Sequence, residues 1–295
     1  MGYLFLSISL LAGVTKGYCG KKMGNFADTV QSAVLLNVLR MSLCVVFGIF
    51  LVLGYNHVSY LTLNSKVLII SALSGISTAI FVITWLLSVR KSAYMMLDVF
   101  LMLGTLIPMV AGYFTFGETV SWNQLVGFFI LIVAVVIMCS YNNSIKAKFN
   151  TSSFLLLIIC GCANGLTDFS QKMFVRELPD VPISIFNLYT YIFAVLSLVV
   201  VYMFISTKEK PQFDKSSFGK YTYVLIMSVA LIINSYFKTK AAAYLGSAQL
   251  YPLNQGMALI LSTLMASVLF KEKLTAKCVI GICIAFAGLL IMNVL

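Results

Sequence analysis

Long apolar runs separated by short polar segments fill almost the whole chain. A helix needs about 20 apolar residues to cross a hydrocarbon core of about 30 Å. Ten such runs lie near residues 2–19, 29–53, 67–88, 93–115, 121–140, 152–172, 181–206, 221–243, 247–269 and 275–294. This pattern predicts an all-α integral membrane protein with ten transmembrane helices, called helices 1 to 10 below. The first run lacks a basic start and contains Lys16, so we expect a permanent helix rather than a signal peptide.

Composition places the protein in a lipid bilayer. Hydrophobic residues make up 61% of the sequence and charged residues 10%, which no water-soluble domain of this length would carry on its surface. All seven cysteines fall in or at the end of predicted helices, and none has the spacing of zinc ligands. We expect them to pack as small apolar side chains, and we expect no metal or other cofactor.

Basic residues predict the orientation in the membrane. The loops that follow the odd-numbered helices contain Lys21, Lys22, Arg90, Lys91, Lys146, Lys148, Lys208, Lys210, Lys215, Lys220, Lys271, Lys273 and Lys277. The loops that follow the even-numbered helices contain far fewer. Since lysine and arginine are enriched in cytoplasmic loops, both termini are predicted to be extracytoplasmic, in a multi-pass protein of the plasma membrane. The net charge of +11 then reflects topology, and we expect no nucleic-acid partner.

One segment occurs twice. Residues 116–138 and 270–292 share Phe116/Phe270, Glu118/Glu272, Gly127/Gly281, Ile130/Ile284, Ile137/Ile291 and Met138/Met292 at an offset of 154 positions. The chain is therefore predicted to consist of two similar halves, 1–141 and 142–295. Glycines also recur, at Gly13, Gly17 and Gly20 in helix 1 and at Gly161 and Gly165 in helix 6, a spacing that lets helix backbones approach closely.

The most informative polar pattern is in helix 6. Its polar residues stand at i, i+3, i+4, i+7 and i+8, which gathers them on one helical face: Asn164, Thr167, Asp168, Gln171 and Lys172. A polar face of this length is not expected to contact lipid. It either forms a seam between helices or, as we favour, lines an aqueous cavity.

Three further charges lie inside apolar runs. Lys16 in helix 1 either snorkels to the interface or faces a cavity. Arg40 in helix 2 is interpreted as part of a buried structural or gating pair, most plausibly with a carboxylate, with substrate contact as the alternative. Asp98 in helix 4 either pairs with a cation or titrates. Pro108 is expected to interrupt the same helix.

Aromatic and amide groups complete the candidate site. Trp85 and Tyr94 are either interfacial aromatics or cavity residues. In helix 8, Asn234 with Lys238 and Tyr236 with Lys240 are each four residues apart, and the lysines either snorkel or take part. Helix 9 places Gln249, Tyr251, Asn254 and Gln255 around Pro252, where a broken helix would line a binding site.

The chain resembles the drug/metabolite transporter superfamily, of the EamA type, over essentially its whole length. The resemblance is carried by Phe116-Gly-Glu-Thr-Val-Ser and Phe270-Lys-Glu-Lys-Leu-Thr, the Leu39-Arg40 step, Lys21, Lys22 and Lys172, Ser247-Ala248, and Tyr251-Pro252. It implies two five-helix repeats, the second inverted because five is odd. It also implies that helices 1–4 and 6–9 surround a central cavity, while helices 5 and 10 brace the outside.

We therefore expect a secondary transporter, and not an enzyme, that moves a small polar metabolite, amino-acid-like and zwitterionic or anionic, by alternating access. The alternatives are a transporter of organic cations, including multidrug or choline-like solutes, and a non-transporting accessory protein. We expect a monomer or homodimer. The candidate substrate-binding residues are Lys16, Trp85, Tyr94, Asn164, Asp168, Gln171, Tyr236, Gln249, Tyr251, Asn254 and Gln255. The candidates for ion coupling or charge pairing are Arg40, Asp98, Asp168 and Lys240.

Overall fold

The computed structural model describes residues 1–24, 30–61, 64–90, 94–139, 151–205, 218–270 and 276–294. Within them the α-helices are α1 (Gly2–Gly24), α2 (Val30–Gly54), α3 (Ser65–Arg90), α4 (Tyr94–Gly104), α5 (Leu106–Phe116), α6 (Trp122–Cys139), α7 (Thr151–Glu177), α8 (Ile183–Ile205), α9 (Phe218–Ala242), α10 (Ser247–Phe270) and α11 (Ala276–Val294). A short 3₁₀ helix, Val58–Tyr60, follows α2. Each of the ten predicted runs holds a helix, and the fourth holds two, α4 and α5.

Five helices in this described part are long and apolar enough to cross a membrane by length and composition. They are Val30–Gly54, Ser65–Ser88, Phe154–Glu177, Ile183–Ile205 and Tyr221–Ala242. Shorter apolar helices lie at Phe100–Phe116, Trp122–Ile137 and Val279–Asn293. The prediction of an all-α membrane protein is confirmed.

The interruption between α4 and α5 has a local cause. Pro108 has no N–H to donate to the carbonyl of Gly104, so the ladder of hydrogen bonds fails there. The Thr105 N–H and hydroxyl both donate to the Met102 carbonyl oxygen, at 3.1 Å and 2.7 Å. The interruption predicted from Pro108 is thus present, one turn before the proline.

The second expected break is absent, because α10 runs unbroken through Pro252. Pro252 is the sixth residue of α10, near a helix start, where the loss of one backbone donor interrupts little of the ladder. The expectation of a broken helix at Pro252 is therefore wrong.

Helices of the first half pack mainly against helices of the second half. α1 packs along α9 and α3 along α7, while α2 packs against α8 and α6 against α11. The apolar core beside α6 and α11 includes Leu131, Ala134 and Leu289, all almost fully buried. Helices from the two predicted halves are therefore interleaved, and α6 packs mainly against α11.

Glycines permit the closest of these contacts. A Cβ on Gly161 would collide with the carbonyl of Phe100, and one on Gly165 with the carbonyl of Gly104. The predicted close approach is confirmed for α7, where it brings that helix against α4. It is wrong for Gly17, because a Cβ added there would meet nothing within 4 Å.

Candidate functional site

A cavity of about 170 Å³ lies among eight helices. Its lining comes from α1, α2, α3, α4, α7, α8, α9 and α10, the helices that the resemblance placed around a central cavity. Among the described residues, α5, α6 and α11 contribute nothing to it. The polar and charged lining residues are Lys16, Arg40, Ser74, Thr78, Asn164, Thr167, Asp168, Gln171, Thr190, Tyr191, Asn234, Ser235, Lys238, Asn254, Gln255 and Ser262.

Four of the five residues on the polar face of helix 6 line this cavity. They are Asn164, Thr167, Asp168 and Gln171 of α7. The fifth, Lys172, is fully buried elsewhere. The polar face of α7 therefore lines the cavity over two turns, and its last residue, Lys172, takes part in a separate charged contact that is described below.

Asp168 is held by side chains from two other helices. Lys238 of α9 forms a buried ion pair with it, with 2.5 Å between Nζ and Oδ1. The Tyr251 hydroxyl on α10 donates to the backbone carbonyl of Asp168 at 2.6 Å. Because the lysine compensates the carboxylate, this pair adds no net charge to the cavity.

Next to this pair, α1 and α9 are joined by polar contacts. The side-chain amide of Asn234 donates to the Ser9 carbonyl at 2.8 Å, and the Ser9 hydroxyl donates to the Asn234 carbonyl at 3.0 Å. These contacts hold α9 against α1, and Lys238 extends from α9 one turn after Asn234.

Arg40 differs from Asp168 because none of the described residues compensates its charge. The residue is 3% exposed. Its Nη1 lies 3.5 Å from the Met227 sulfur, a weak acceptor, and its Nε has no hydrogen-bond partner. Among the residues that the structure describes, no carboxylate forms an ion pair with Arg40, so the expected pairing is not found. Arg40 instead lines the cavity.

A second charged contact, called here the Glu118 cluster, comprises Glu118, Lys172, Arg176 and Ser247. Glu118 Oε1 lies 2.8 Å from Lys172 Nζ and 3.2 Å from Arg176 Nη2. The Ser247 N–H, at the start of α10, donates to Glu118 Oε2 at 2.7 Å. Lys172 also donates to the Ala242 and Leu245 carbonyls at 3.0 Å and 2.6 Å.

This cluster satisfies two helix ends. The carbonyl of Ala242, the last residue of α9, accepts from the Lys172 ammonium, and the first N–H of α10 donates to the Glu118 carboxylate. Gly117 ends α5 with a left-handed backbone conformation, φ of 63°, and the next residue, Glu118, lies at this turn. Burial raises the pKa of Glu118, but hydrogen bonds from Lys172 and Ser247 outweigh it and hold that pKa below the ordinary value.

The predicted site residues divide into three groups. Those that line the cavity are Lys16, Arg40, Trp85, Asn164, Asp168, Gln171, Asn254 and Gln255. Four others do not line it: Tyr251 bonds to the Asp168 backbone, Gln249 donates to the Tyr3 hydroxyl, Lys240 lies over the Phe5 ring, and Tyr236 packs on Phe237. The side chains of Tyr94 and Asp98 lie outside the described part of the structure.

The pair of α9 residues predicted for the site differs from the pair that lines the cavity. Tyr236 and Lys240 were predicted, whereas Asn234 and Lys238 line the cavity. The two pairs lie on different faces of one helix, and their identical spacing could not distinguish them. The available signal was Ser235, a further small polar residue beside Asn234 that also lines the cavity.

Comparison with known proteins agrees with this architecture. Residues 151–294 match the model of the EamA-like transporter family. A protein of known crystal structure superposes with a TM-score of 0.76 at 14% sequence identity, over 99% of this chain and 96% of the other. At that identity the superposition shows the fold alone. No curated protein sequence matches the chain.

Proposed function

We propose that the cavity is the solute site of a secondary transporter. The match of residues 151–294 to the EamA-like transporter family, of the drug/metabolite transporter superfamily, supports this proposal. The match supports a membrane transporter of this type. The cavity is enclosed by helices of both halves. A site at such an interface is accessible from alternate sides when the halves rock against each other.

The charges that line the cavity carry the proposal for the solute. The described lining contains three basic residues, Lys16, Arg40 and Lys238, and one acidic residue, Asp168. The charge of Asp168 is already compensated by Lys238. The remaining charges are positive, and a small buried cavity with excess positive charge favours a ligand with a negative group. We therefore propose a small polar metabolite, amino-acid-like and zwitterionic or anionic.

Ion coupling is proposed for Asp168 or Asp98. A carboxylate inside the membrane that exchanges partners during transport is a suitable proton carrier, and the Asp168–Lys238 pair lies at the cavity wall. Transport by Asp168→Asn and Asp98→Asn proteins is expected to lose the pH dependence of the wild type. An unchanged pH profile in both variants would exclude proton coupling through these residues.

Transport of organic cations is less well supported. It relied on cation–π contacts with Trp85, Tyr94, Tyr236 and Tyr251. Of the three described side chains, only Trp85 lines the cavity, and the Tyr251 hydroxyl is occupied by the Asp168 carbonyl. A preference for choline-like or aromatic cations would nevertheless replace the proposal.

The proposal is tested by solute-dependent thermal stabilisation of the purified protein, followed by uptake into proteoliposomes. The panel contains amino acids, polyamines, choline-like cations, nucleosides and sugar phosphates. A binding solute raises the melting temperature as its concentration exceeds Kd, and we expect zwitterions or anions to do so. Stabilisation that is weakened in Asp168→Asn places the site on α7, whereas no stabilisation and no uptake across the panel favours an accessory protein.

The protein is proposed to act in the plasma membrane, as a monomer or homodimer, with both termini extracytoplasmic. The excess of lysine and arginine in the loops after odd-numbered helices supports this orientation. An N-terminal epitope that antibodies reach in intact cells would agree with it, and an epitope reached only after permeabilisation would reverse it.

A further inference from the structure

We infer that Arg40 binds the carboxylate of the transported solute. The inference rests on the proposed function and assigns a specific role to a residue that the sequence indicated as a charge-pairing group. It begins from the exposure of Arg40, which is 3%, and from its position on the cavity wall. A guanidinium is charged at every physiological pH, so this side chain brings a permanent positive charge to the cavity.

The charge is uncompensated in the described part of the chain. Arg40 Nη1 donates to the Met227 sulfur at 3.5 Å, and Nε has no hydrogen-bond partner. An isolated charge of this kind is costly inside a membrane unless a partner or water meets it. By contrast, Lys238 has Asp168 at 2.5 Å and is not available to an incoming anion without losing that partner.

The chemistry of arginine matches a carboxylate. Its planar fork of N–H groups binds two carboxylate oxygens in parallel, a geometry that a lysine ammonium cannot reproduce. Two hydroxyl groups on neighbouring helices add to the site. Ser74 of α3 and Thr190 of α8 line the cavity, are almost fully buried, and have hydroxyl oxygens without a hydrogen-bond partner.

Other helices offer groups of the opposite kind. The side-chain oxygens of Gln171 on α7 and Asn254 on α10 line the cavity and also have no hydrogen-bond partner. They are acceptors, and they belong to the two helices that hold Asp168 and its Tyr251 contact. A solute with a carboxylate at Arg40 and an ammonium group towards Gln171 and Asn254 would satisfy both sets, which is the pattern of an amino acid.

The inference predicts discrimination between an acid and its amide. Each of the twenty amino acids, and the corresponding amino acid amides, are used as probes of thermal stabilisation of the full-length protein. We expect wild-type protein to be stabilised by at least one amino acid and, at equal concentration, to bind its amide at least tenfold more weakly. Loss of a charge-assisted contact typically has an effect of this size or larger.

Variants of Arg40 then test the residue itself. Arg40→Gln is expected to weaken binding of the acid at least tenfold while leaving binding of the amide within about threefold, so that the acid-to-amide ratio falls. Arg40→Lys keeps the charge and loses the fork, and an intermediate ratio is expected. The control is Lys66→Gln, which removes a positive charge from an exposed side chain outside the cavity and is expected to leave the ratio unchanged.

The outcomes separate this inference from the proposed function. If an amino acid is bound and transported but Arg40→Gln keeps the wild-type ratio, the assignment of Arg40 is wrong and the proposed function stands. Equal binding of the amino acid and its amide by the wild type also overturns the assignment of Arg40. This test needs no variant, so it does not depend on whether Arg40→Gln folds. If only cations are bound, or nothing is transported, the proposed function fails as well.

Discussion

The described charges of the Glu118 cluster are all paired, whereas the cavity contains both a paired aspartate, Asp168, and an arginine, Arg40, that no described carboxylate pairs with. Both draw on α7, which supplies Asp168 to the cavity and, one turn later, Lys172 to the cluster. In the cluster every described charge has a partner within 3.2 Å. In the cavity Arg40 has a sulfur at 3.5 Å and an Nε without a partner.

The difference shows which buried charges stabilise the fold and which are available to a ligand. The paired charges of the Glu118 cluster hold the ends of α5, α7, α9 and α10 together. The cluster lies near the start of α1, because Gly2 lies against Leu245, whose carbonyl accepts from Lys172. A buried charge that the protein leaves unpaired is unfavourable for the fold and is available to bind an anion. Removing charges should therefore have opposite consequences in the two regions.

The largest loss of stability is expected from Lys172→Met. It leaves the carboxylate of Glu118 buried without its nearest cation, and breaking a buried ion pair in this way typically costs about 3–5 kcal/mol. Thermal unfolding of the purified protein measures the change. The control is Lys66→Met, because the Lys66–Glu177 pair is exposed and 3.8 Å apart and such pairs contribute about 0–1 kcal/mol. Similar losses in both variants would remove the distinction between cluster and surface.

A smaller loss is expected from Gly112→Ala. A Cβ there would lie 2.9 Å from both Glu118 Oε2 and Ser247 Oγ, so the cluster must shift, at a typical cost of about 1–3 kcal/mol. The matched substitution in the cavity is Gly17→Ala, whose Cβ meets nothing within 4 Å. It is expected to leave the melting temperature unchanged or raise it slightly, since alanine favours helix by up to about 1 kcal/mol. The added methyl group of Gly17→Ala narrows the cavity, which weaker binding of larger solutes would reveal. Equal destabilisation by Gly112→Ala and Gly17→Ala would contradict the proposed difference between the Glu118 cluster and the cavity.

Arg40→Met is expected to leave the stability unchanged or to raise it, because it removes an unpaired buried charge. Methionine replaces the charge by an apolar chain that suits its neighbour Met227, and apolar replacements of buried charged groups are often neutral or stabilising. Transport is expected to be abolished. Measurement of both quantities on one preparation is decisive, because a loss of several kcal/mol would make Arg40 a structural residue like Lys172.

The smallest effect concerns pH and the Glu118 cluster. Because the folded-state pKa of Glu118 is lowered, its contribution to stability is complete above the ordinary glutamate value of about 4.3 and is lost as the pH falls through the folded value. The wild type should therefore be more stable than Glu118→Gln near neutral pH. Melting temperatures recorded at decreasing pH are expected to converge below about pH 4; a constant difference would show that the glutamate charge is not what stabilises the cluster.

The sequence was most informative where one helix determines the result. The i, i+3, i+4, i+7 spacing on α7 placed Asn164, Thr167, Asp168 and Gln171 on one face, and all four line the cavity. Likewise, the missing N–H of Pro108 predicted the interruption of the fourth helix. Both follow from the geometry of a single segment.

Contacts between distant segments were not predictable in the same way. Asp168 and Lys238 are 70 residues apart, and Glu118 and Arg176 are 58 apart. Nothing in local spacing specifies which face of α9 meets α7, so Tyr236 and Lys240 ranked above Asn234 and Lys238. Glu118 was recognised as part of a repeated segment, but its partners depend on how helix ends meet. The roles predicted for individual solute-binding residues remain predictions.

The interleaving of the halves has a consequence for how the protein is made. α1 packs mainly along α9, and roughly 190 residues of chain are synthesised between the end of the first and the start of the second. At about 5–20 residues per second, α1 waits on the order of ten to forty seconds for its partner, with Ser9 lacking its Asn234 contact. During that interval α1 is without its main packing partner, and this is the period in which a chaperone of membrane insertion would act on it.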